Sequence, residues 1–250
     1  MPYRSLRPDL IVSQTKQLRM RIIERFPDRS ILNVCDELLA IAQEAQDRTK
    51  EIATPNYTLR IFSYMIGAVL AVIVILLINP IIAFIDVLAF EPTSDQIVDV
   101  VQLIEADLNA IIILGAAIFF LVSLDKRTKQ NKTLRALHEL RSLAHVIDMH
   151  QLTKDPERLL GVFEMTPSSP EKMTPFELTR YLDYCSEMLS IIGKIAALYV
   201  QEFDDEVAIS AVNEIENLTS GLSRKIWQKI MIVHQDMHEH IQIENVDVKI

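Results

Sequence analysis

Residues Ile61 to Ile78 read IFSYMIGAVLAVIVILLI, eighteen consecutive residues without a charge. A helix needs roughly 17 to 25 apolar residues to cross the hydrocarbon core of a bilayer, and this run meets that length. A second run, AIIILGAAIFFLVSL from Ala110 to Leu124, is shorter, but with Leu108 and Asn109 it reaches the lower end of the range. The two runs are expected to form a transmembrane hairpin.

The flanking charges orient it. Lys and Arg within about 15 to 20 residues of a membrane end stay on the cytoplasmic side. Arg48, Lys50 and Arg60 precede the first run, and Lys126, Arg127, Lys129, Lys132 and Arg135 follow the second. Between the runs lie Asp86, Glu91, Asp95, Asp99, Glu105 and Asp107 with no Lys or Arg. Both termini are therefore expected in the cytoplasm, with an acidic loop over about residues 84 to 107 outside, as in a protein of the bacterial inner (plasma) membrane. The chain does not open on a cleavable signal pattern, since residues 1 to 60 carry ten basic and eight acidic residues spread along amphipathic stretches. The first span is expected to act as the insertion signal.

Charge by segment is +2 for residues 1 to 60, −6 for the outer loop, +3 for 125 to 160 and −8 for 161 to 250, giving the net −9 of the chain. That balance argues against nucleic acid, which requires a dominant basic patch. It leaves the collar Lys126, Arg127, Lys129 and Lys132 as the expected contact for anionic lipid headgroups. Cys35 and Cys185 both fall on the cytoplasmic side and read as reduced, buried, small apolar residues.

The rest of the chain has helical periodicity, five glycines in 250 residues and no strand alternation bounded by hairpin turns, so the fold class is all-α. A first helix is expected over about Asp9 to Phe26. A second, capped by Ser30, runs to about Ile52 with Ile31, Val34, Leu38 and Ile41 on its apolar face. Thr54-Pro55-Asn56 breaks it. From Asp107 to about Leu152 there is no proline, so span and cytoplasmic helix are expected to form one rod of roughly 70 Å. A short helix restarts at Asp155-Pro156, and Met165 to Thr174 reads as a linker. Thr174-Pro175-Phe176-Glu177 then has the form of a helix start, with a Thr cap, Pro in the first turn and Glu three residues on.

That helix carries Leu178, Leu182, Cys185, Leu189, Ile192, Ala196, Tyr199 and Phe203 in 4,3 spacing, a coiled-coil pattern. A second stripe, Tyr181, Tyr184, Met188, Ile191, Ile195 and Leu198, runs beside it. Two stripes require cover on two sides, from a bundle or an oligomer, and Leu178, Leu182, Leu189, Ile192 and Tyr199 are the expected interface. A last helix, entered through Asp204 and Asp205 and running to about His240, is expected to pair with it antiparallel. The organisation is thus residues 1–60 as cytoplasmic N-terminal helices, 61–124 as the hairpin and 125–250 as a cytoplasmic helical bundle with long coiled-coil-like helices.

No phosphate-binding glycine loop, nucleophile elbow, Cys-x-x-Cys or His-Glu-x-x-His is present, which points away from those enzyme classes and names no catalytic residue or resident cofactor. The six histidines fall in two stretches. His138, Arg141, His145 and Asp148 share one helix face, and His145 with Asp148, like His234 with His238, have the spacing for two ligands to one zinc-like divalent metal. Against that metal site stands a salt-bridged boundary of the core, with His238 and His240 placed in the last turns where the helix dipole favours cations.

The segment His138-Glu139-Leu140-Arg141-Ser142 resembles the phospho-acceptor box of sensor histidine kinases, in which a helix after a membrane span carries the acceptor. The resemblance covers five residues and would make His138 the phosphate acceptor. The proline that usually follows is absent, and nothing downstream resembles that family's glycine-rich ATP-binding domain, so another protein would be the kinase.

The leading reading is a non-enzymatic membrane scaffold or regulatory protein whose cytoplasmic bundle self-associates into a homo-oligomer. One alternative is an oligomeric cation channel or transporter with Asp86, Glu91, Glu105 and Asp107 at its outer mouth. Its spans carry almost no polar residue beyond Asn79 and Ser123, and ion pathways generally need them. The other alternative is a metal-binding or phosphorelay sensor using the histidine face.

Overall fold

The computed structural model of the chain describes residues 5–53, 61–62, 64–69, 71–72, 94–154, 156, 173–201 and 203–247. The regular structure among them is all helical: α1 (Pro8–Arg25), α2 (Ser30–Ala53), α3 (Ser94–Leu152), α4 (Pro175–Gln201) and α5 (Glu206–Asp247), with further helical residues at 61–62, 64–69 and 71–72. The chain divides into two compact units, Met1–Ala53 with Lys132–Ile250, and Thr54–Asn131. The helix α3 contributes residues to both.

The larger unit is a helical bundle built around α4. Both apolar stripes of α4 are buried, Leu182, Cys185, Leu189, Ile192, Ile195 and Ala196 completely. They are covered by α5, which makes the most extensive pairing, and by α1 and α2. From α3, Ala136, Leu137, Leu140, Leu143, Ala144 and Ile147 join the same core. Cover on two sides is thus supplied by the chain itself. This bears on the expected interface: Leu178, Leu182, Leu189, Ile192 and Tyr199 are all 3% exposed or less in a single copy. In a single copy they are part of the bundle core.

Local sequence explains the helix ends. Pro8 supplies the fixed φ of the first turn of α1, and the Phe26 amide closes the helix by donating to the Ile22 carbonyl at 2.7 Å. The Phe26 ring meets Tyr181 and Tyr184 of α4 edge-on, at centroid separations of 5.8 and 6.2 Å. Ser30 opens α2 as its first residue instead of preceding it as the cap, a shift of one position. At the start of α4 the Thr174 amide donates to Glu177 Oε2 at 2.8 Å, and the Glu177 amide donates to Thr174 Oγ1 at 3.2 Å. This reciprocal pair satisfies two amides that the helix leaves open. Asp205 caps α5 by accepting from the Ala208 amide at 3.1 Å.

The capping pair sets a pH response. Hydrogen bonds from Thr174 hold the Glu177 carboxyl below its usual range. Its contribution to stability is therefore complete above the unfolded carboxyl value of about 4.3 and fades as pH falls through the lower folded value. Thr174→Ala should lower stability by about 1 kcal/mol at neutral pH. The gap between the urea midpoints of the two proteins should narrow without closing as Glu177 becomes protonated, because the Glu177 amide still donates to Thr174 Oγ1 in the parent.

Orientation of the bundle helices follows from cross-helix contacts. A Cβ added at Gly193 of α4 would lie 3.5 Å from Thr219 Oγ1 of α5, while Asp183 lies near His234, so the pair runs antiparallel. Ion pairs link the remaining helices: Arg19 to Asp36, Arg21 to Glu187, Arg48 to Glu139 and Arg141 to Glu214. All are partly exposed, and each is worth at most about 1 kcal/mol. The Lys229 ammonium of α5 donates to the Gln151 carbonyl at 2.9 Å and to the Lys154 carbonyl at 3.4 Å, neutralising the carbonyl end of α3.

In the smaller unit, residues 94–107 belong to the first turns of α3, so the described part of the expected outer loop is helical. The uninterrupted helix expected from Asp107 to Leu152 is present and begins earlier, at Ser94. Among the described residues no helix is long and apolar enough to cross a membrane. Residues 63, 70 and 73–78 of the first apolar run lie outside the described residues, as do the side chains at 121 and 122 of the second. Thr54-Pro55-Asn56, Asp155 and the linker from 165 to 172 lie outside them as well.

Candidate functional site

On α2, Glu37, Ile41, Glu44 and Arg48 follow spacings of 4, 3 and 4 and so share one face. On α3, His138, Glu139, Ser142, Leu143 and Val146 form the opposing face. Between them lies a groove of about 550 Å³. Ile41 and Leu143, 9% and 6% exposed, make its floor, and the charged groups stand at its rim.

The electrostatics centre on Arg48. Its Nη2 donates to Glu44 Oε2 at 2.6 Å and its Nη1 to Glu139 Oε2 at 2.9 Å, so one guanidinium serves two carboxylates. Glu139 in turn holds the Arg48 pKa above its ordinary value. Beside this cluster lies the Tyr199 hydroxyl of α4, buried, with the Arg48 guanidinium as its neighbouring donor. Burial pushes the Tyr199 phenol up, opposed by the nearby Arg48.

A second groove of about 520 Å³ lies between the start of α1 and α4, lined among others by Leu6, Arg7, Leu10, Glu187, Ser190 and Lys194. Its charges are already engaged: Arg7 with Asp9, Glu187 with Arg21, and Lys194 with Ser190 Oγ at 2.6 Å. It reads as a packing seam.

The candidate residues of the sequence fall as follows. His138 lines the α2–α3 groove beside Glu139. His145 is exposed, while Asp148 is half-buried and accepts from Gln151 Nε2 at 2.6 Å. His234 is exposed and lies near Asp183, whose carboxyl is pushed up by burial. The side chain of His238 lies outside the described residues. Among the described residues, no three His, Cys, Asp or Glu side chains come together to hold a metal. With His145 on the surface, His145→Ala should change stability by under about 1 kcal/mol. Stoichiometric zinc in the purified chain, lost in that variant, would contradict this.

Of the collar, Lys126, Arg127 and Lys132 are exposed and Lys129 is half-buried. Among the acidic residues assigned to an outer mouth, Glu105 is exposed on α3. The Asp107 side chain, Asp86 and Glu91 lie outside the described residues.

Cys35 and Cys185 are buried and unpaired. Burial pushes both thiols up to about 12, so little thiolate exists near neutral pH. Neither should react with a thiol reagent at pH 8 until the bundle is unfolded by denaturant, as followed by the release of the reagent's chromophore.

Sequence reasoning singled out His138 but not Arg48, Glu44 or Glu37, which lie some ninety residues away in the chain. The signal available was the Glu-Ile-Glu-Arg face of α2, whose polar members sit along an otherwise apolar stripe. No family model matches the sequence, and no curated protein or solved structure matches it either.

Proposed function

We propose that the chain is a membrane-anchored helical interaction module of regulatory or scaffolding type, with two spans, both termini in the cytoplasm, and the bundle as its working part. The observation that carries the reading is the exposed apolar surface of the smaller unit. Along α3, Leu108, Ile112 and Phe119 are exposed on one side, and Ile113, Phe120 and Leu124 on another, Phe119 to 76%. Ile61, Phe62, Tyr64, Met65, Val69 and Val72 of the first run are likewise exposed. A helix apolar on every side needs burial in protein or lipid, and a water-facing surface of this kind is unstable. Lipid supplies that burial, and the basic residues 126 to 132 then sit where headgroup phosphates lie.

Membrane integration is tested by extraction at alkaline pH, which should leave the protein in the bilayer pellet. Orientation is tested with a cysteine placed at Ser168, the native thiols being unreactive when folded. An impermeant reagent should label this cysteine only after the cells are opened. Recovery of the protein in the alkaline supernatant would reject the anchor, and labelling in intact cells would reverse the topology.

The bundle's role as a module rests on its closed core and on the polar groove between α2 and α3. Self-association through the α4 seam is not part of this reading, because the seam is covered within one copy.

A further inference from the structure

We propose that α3 self-associates as a parallel coiled coil of three or four copies, through a seam that begins outside the bilayer and runs into the second span. Ile97, Ile104, Ile111 and Ile118 recur every seven residues, and Val101 and Leu108 fall three residues before the second and third of them. The resulting 4,3 spacing is that of a coiled-coil seam, with Ile at each d position and Val and Leu at a. Gly115 takes the next a position, where an added Cβ would find open space among the described residues, leaving room for a neighbouring helix backbone. In a single copy the seam is uncovered: Ile97, Val101, Leu108 and Ile111 are 43% to 59% exposed. All of these residues belong to the smaller unit.

Lipid can cover the part of the seam within the span, but not the part before it. Residues 94–107 are the first turns of an unbroken helix and carry Asp95, Asp99, Glu105 and Asp107, charges that the hydrocarbon excludes. An apolar stripe there faces water unless protein covers it. The acidic residues leave the seam free for further copies. Asp95 and Asp99 take the outward b and f positions, while Glu105 at e and Asp107 at g meet Val100 and Ile112 of a parallel neighbour, so no like charges are paired. Copies inserted with one topology present α3 in one direction, and the parallel sense therefore rests on the membrane reading. Ile at d combined with Leu or a β-branched residue at a favours three or four strands over two. A helix in such an assembly touches two neighbours, and Val98 and Val100 at e and g give it the wider apolar face that this needs.

The experiment is cross-linking of the full chain in phospholipid vesicles with a short bis-maleimide, the native thiols being buried. Ile97→Cys, on the seam, should give cross-linked pairs, and Asp99→Cys, on the outward face two residues on, should give few. Light scattering of the parent in mild detergent should return a protein mass of three or four chains of 28.6 kDa. Val101→Asp places a charge in the seam and should reduce that mass to one chain. It should leave the melting of the larger unit unchanged, because Val101 is exposed in a single copy. Equal cross-linking at positions 97 and 99, a parent mass of one or two chains, or an unchanged mass in Val101→Asp would each overturn the proposal. A seam covered by residues of its own chain would give the first two of these results. Alkaline extraction of the same vesicles separates the two readings: protein in the supernatant removes the anchor, whereas pelleted protein without seam cross-links removes the coiled coil alone.

Discussion

Leu189→Asp is expected to unfold the bundle. Leu189 is fully buried in the middle of α4, with core residues of the neighbouring helices around it. A carboxylate there has neither a cationic partner nor water, and the cost of several kcal/mol is comparable to the 5 to 15 kcal/mol that typically separates a folded domain from its unfolded chain. Far-ultraviolet circular dichroism should show loss of helix in the larger unit, and proteolysis should cut between Pro175 and Gln201. The milder Leu189→Ala, which leaves a cavity without a charge, should cost about 2 to 5 kcal/mol and remain folded at low temperature. A Leu189→Asp protein melting at the parent temperature would mean that α4 is not the centre of the core.

The second large effect concerns α3. Ile113 and Ala117 are exposed and one turn apart. Replacing both with Arg should be nearly neutral if this face meets water, since surface substitutions usually stay within about 0.5 kcal/mol. In the middle of a bilayer each Arg costs roughly 2.5 to 3.5 kcal/mol on insertion scales, so the pair should cost about 5 to 7 kcal/mol. The double variant should therefore fail to integrate its second span. The cysteine at position 168 would then become reactive in intact cells, or the protein would be lost from the membrane fraction. Unchanged integration would place this face of α3 outside the lipid.

Much of the helical architecture is legible along the chain. The Thr174 to Glu177 start of α4 and the unbroken α3 depend on interactions within one or two turns, or on the absence of a breaker. Such contacts are encoded by spacing, and a single sequence displays spacing directly. The double stripe of α4 likewise announced that two sides would be covered. It did not announce by what, since an apolar stripe is satisfied equally by another helix of the same chain or by a second copy.

The groove shows the same division. The Glu37-Ile41-Glu44-Arg48 face and the His138-Glu139 pair each follow from helical periodicity, but their meeting does not. The order of residues alone determined an all-helical chain with two lipid-compatible apolar runs, the bounds of α1 and α2 to within about a residue and the start of α4, because capping, periodicity and transfer free energy act locally. The start of α3 at Ser94 and the end of α5 at Asp247 were not foreseen. Only the tertiary structure decided that the α4 seam is closed from within, that Arg48 bridges Glu44 and Glu139, and that the Tyr199 hydroxyl is buried beside them. Those outcomes depend on which helices come to lie side by side, and hydrophobic burial, being non-directional, rewards many such arrangements almost equally until side-chain packing selects one.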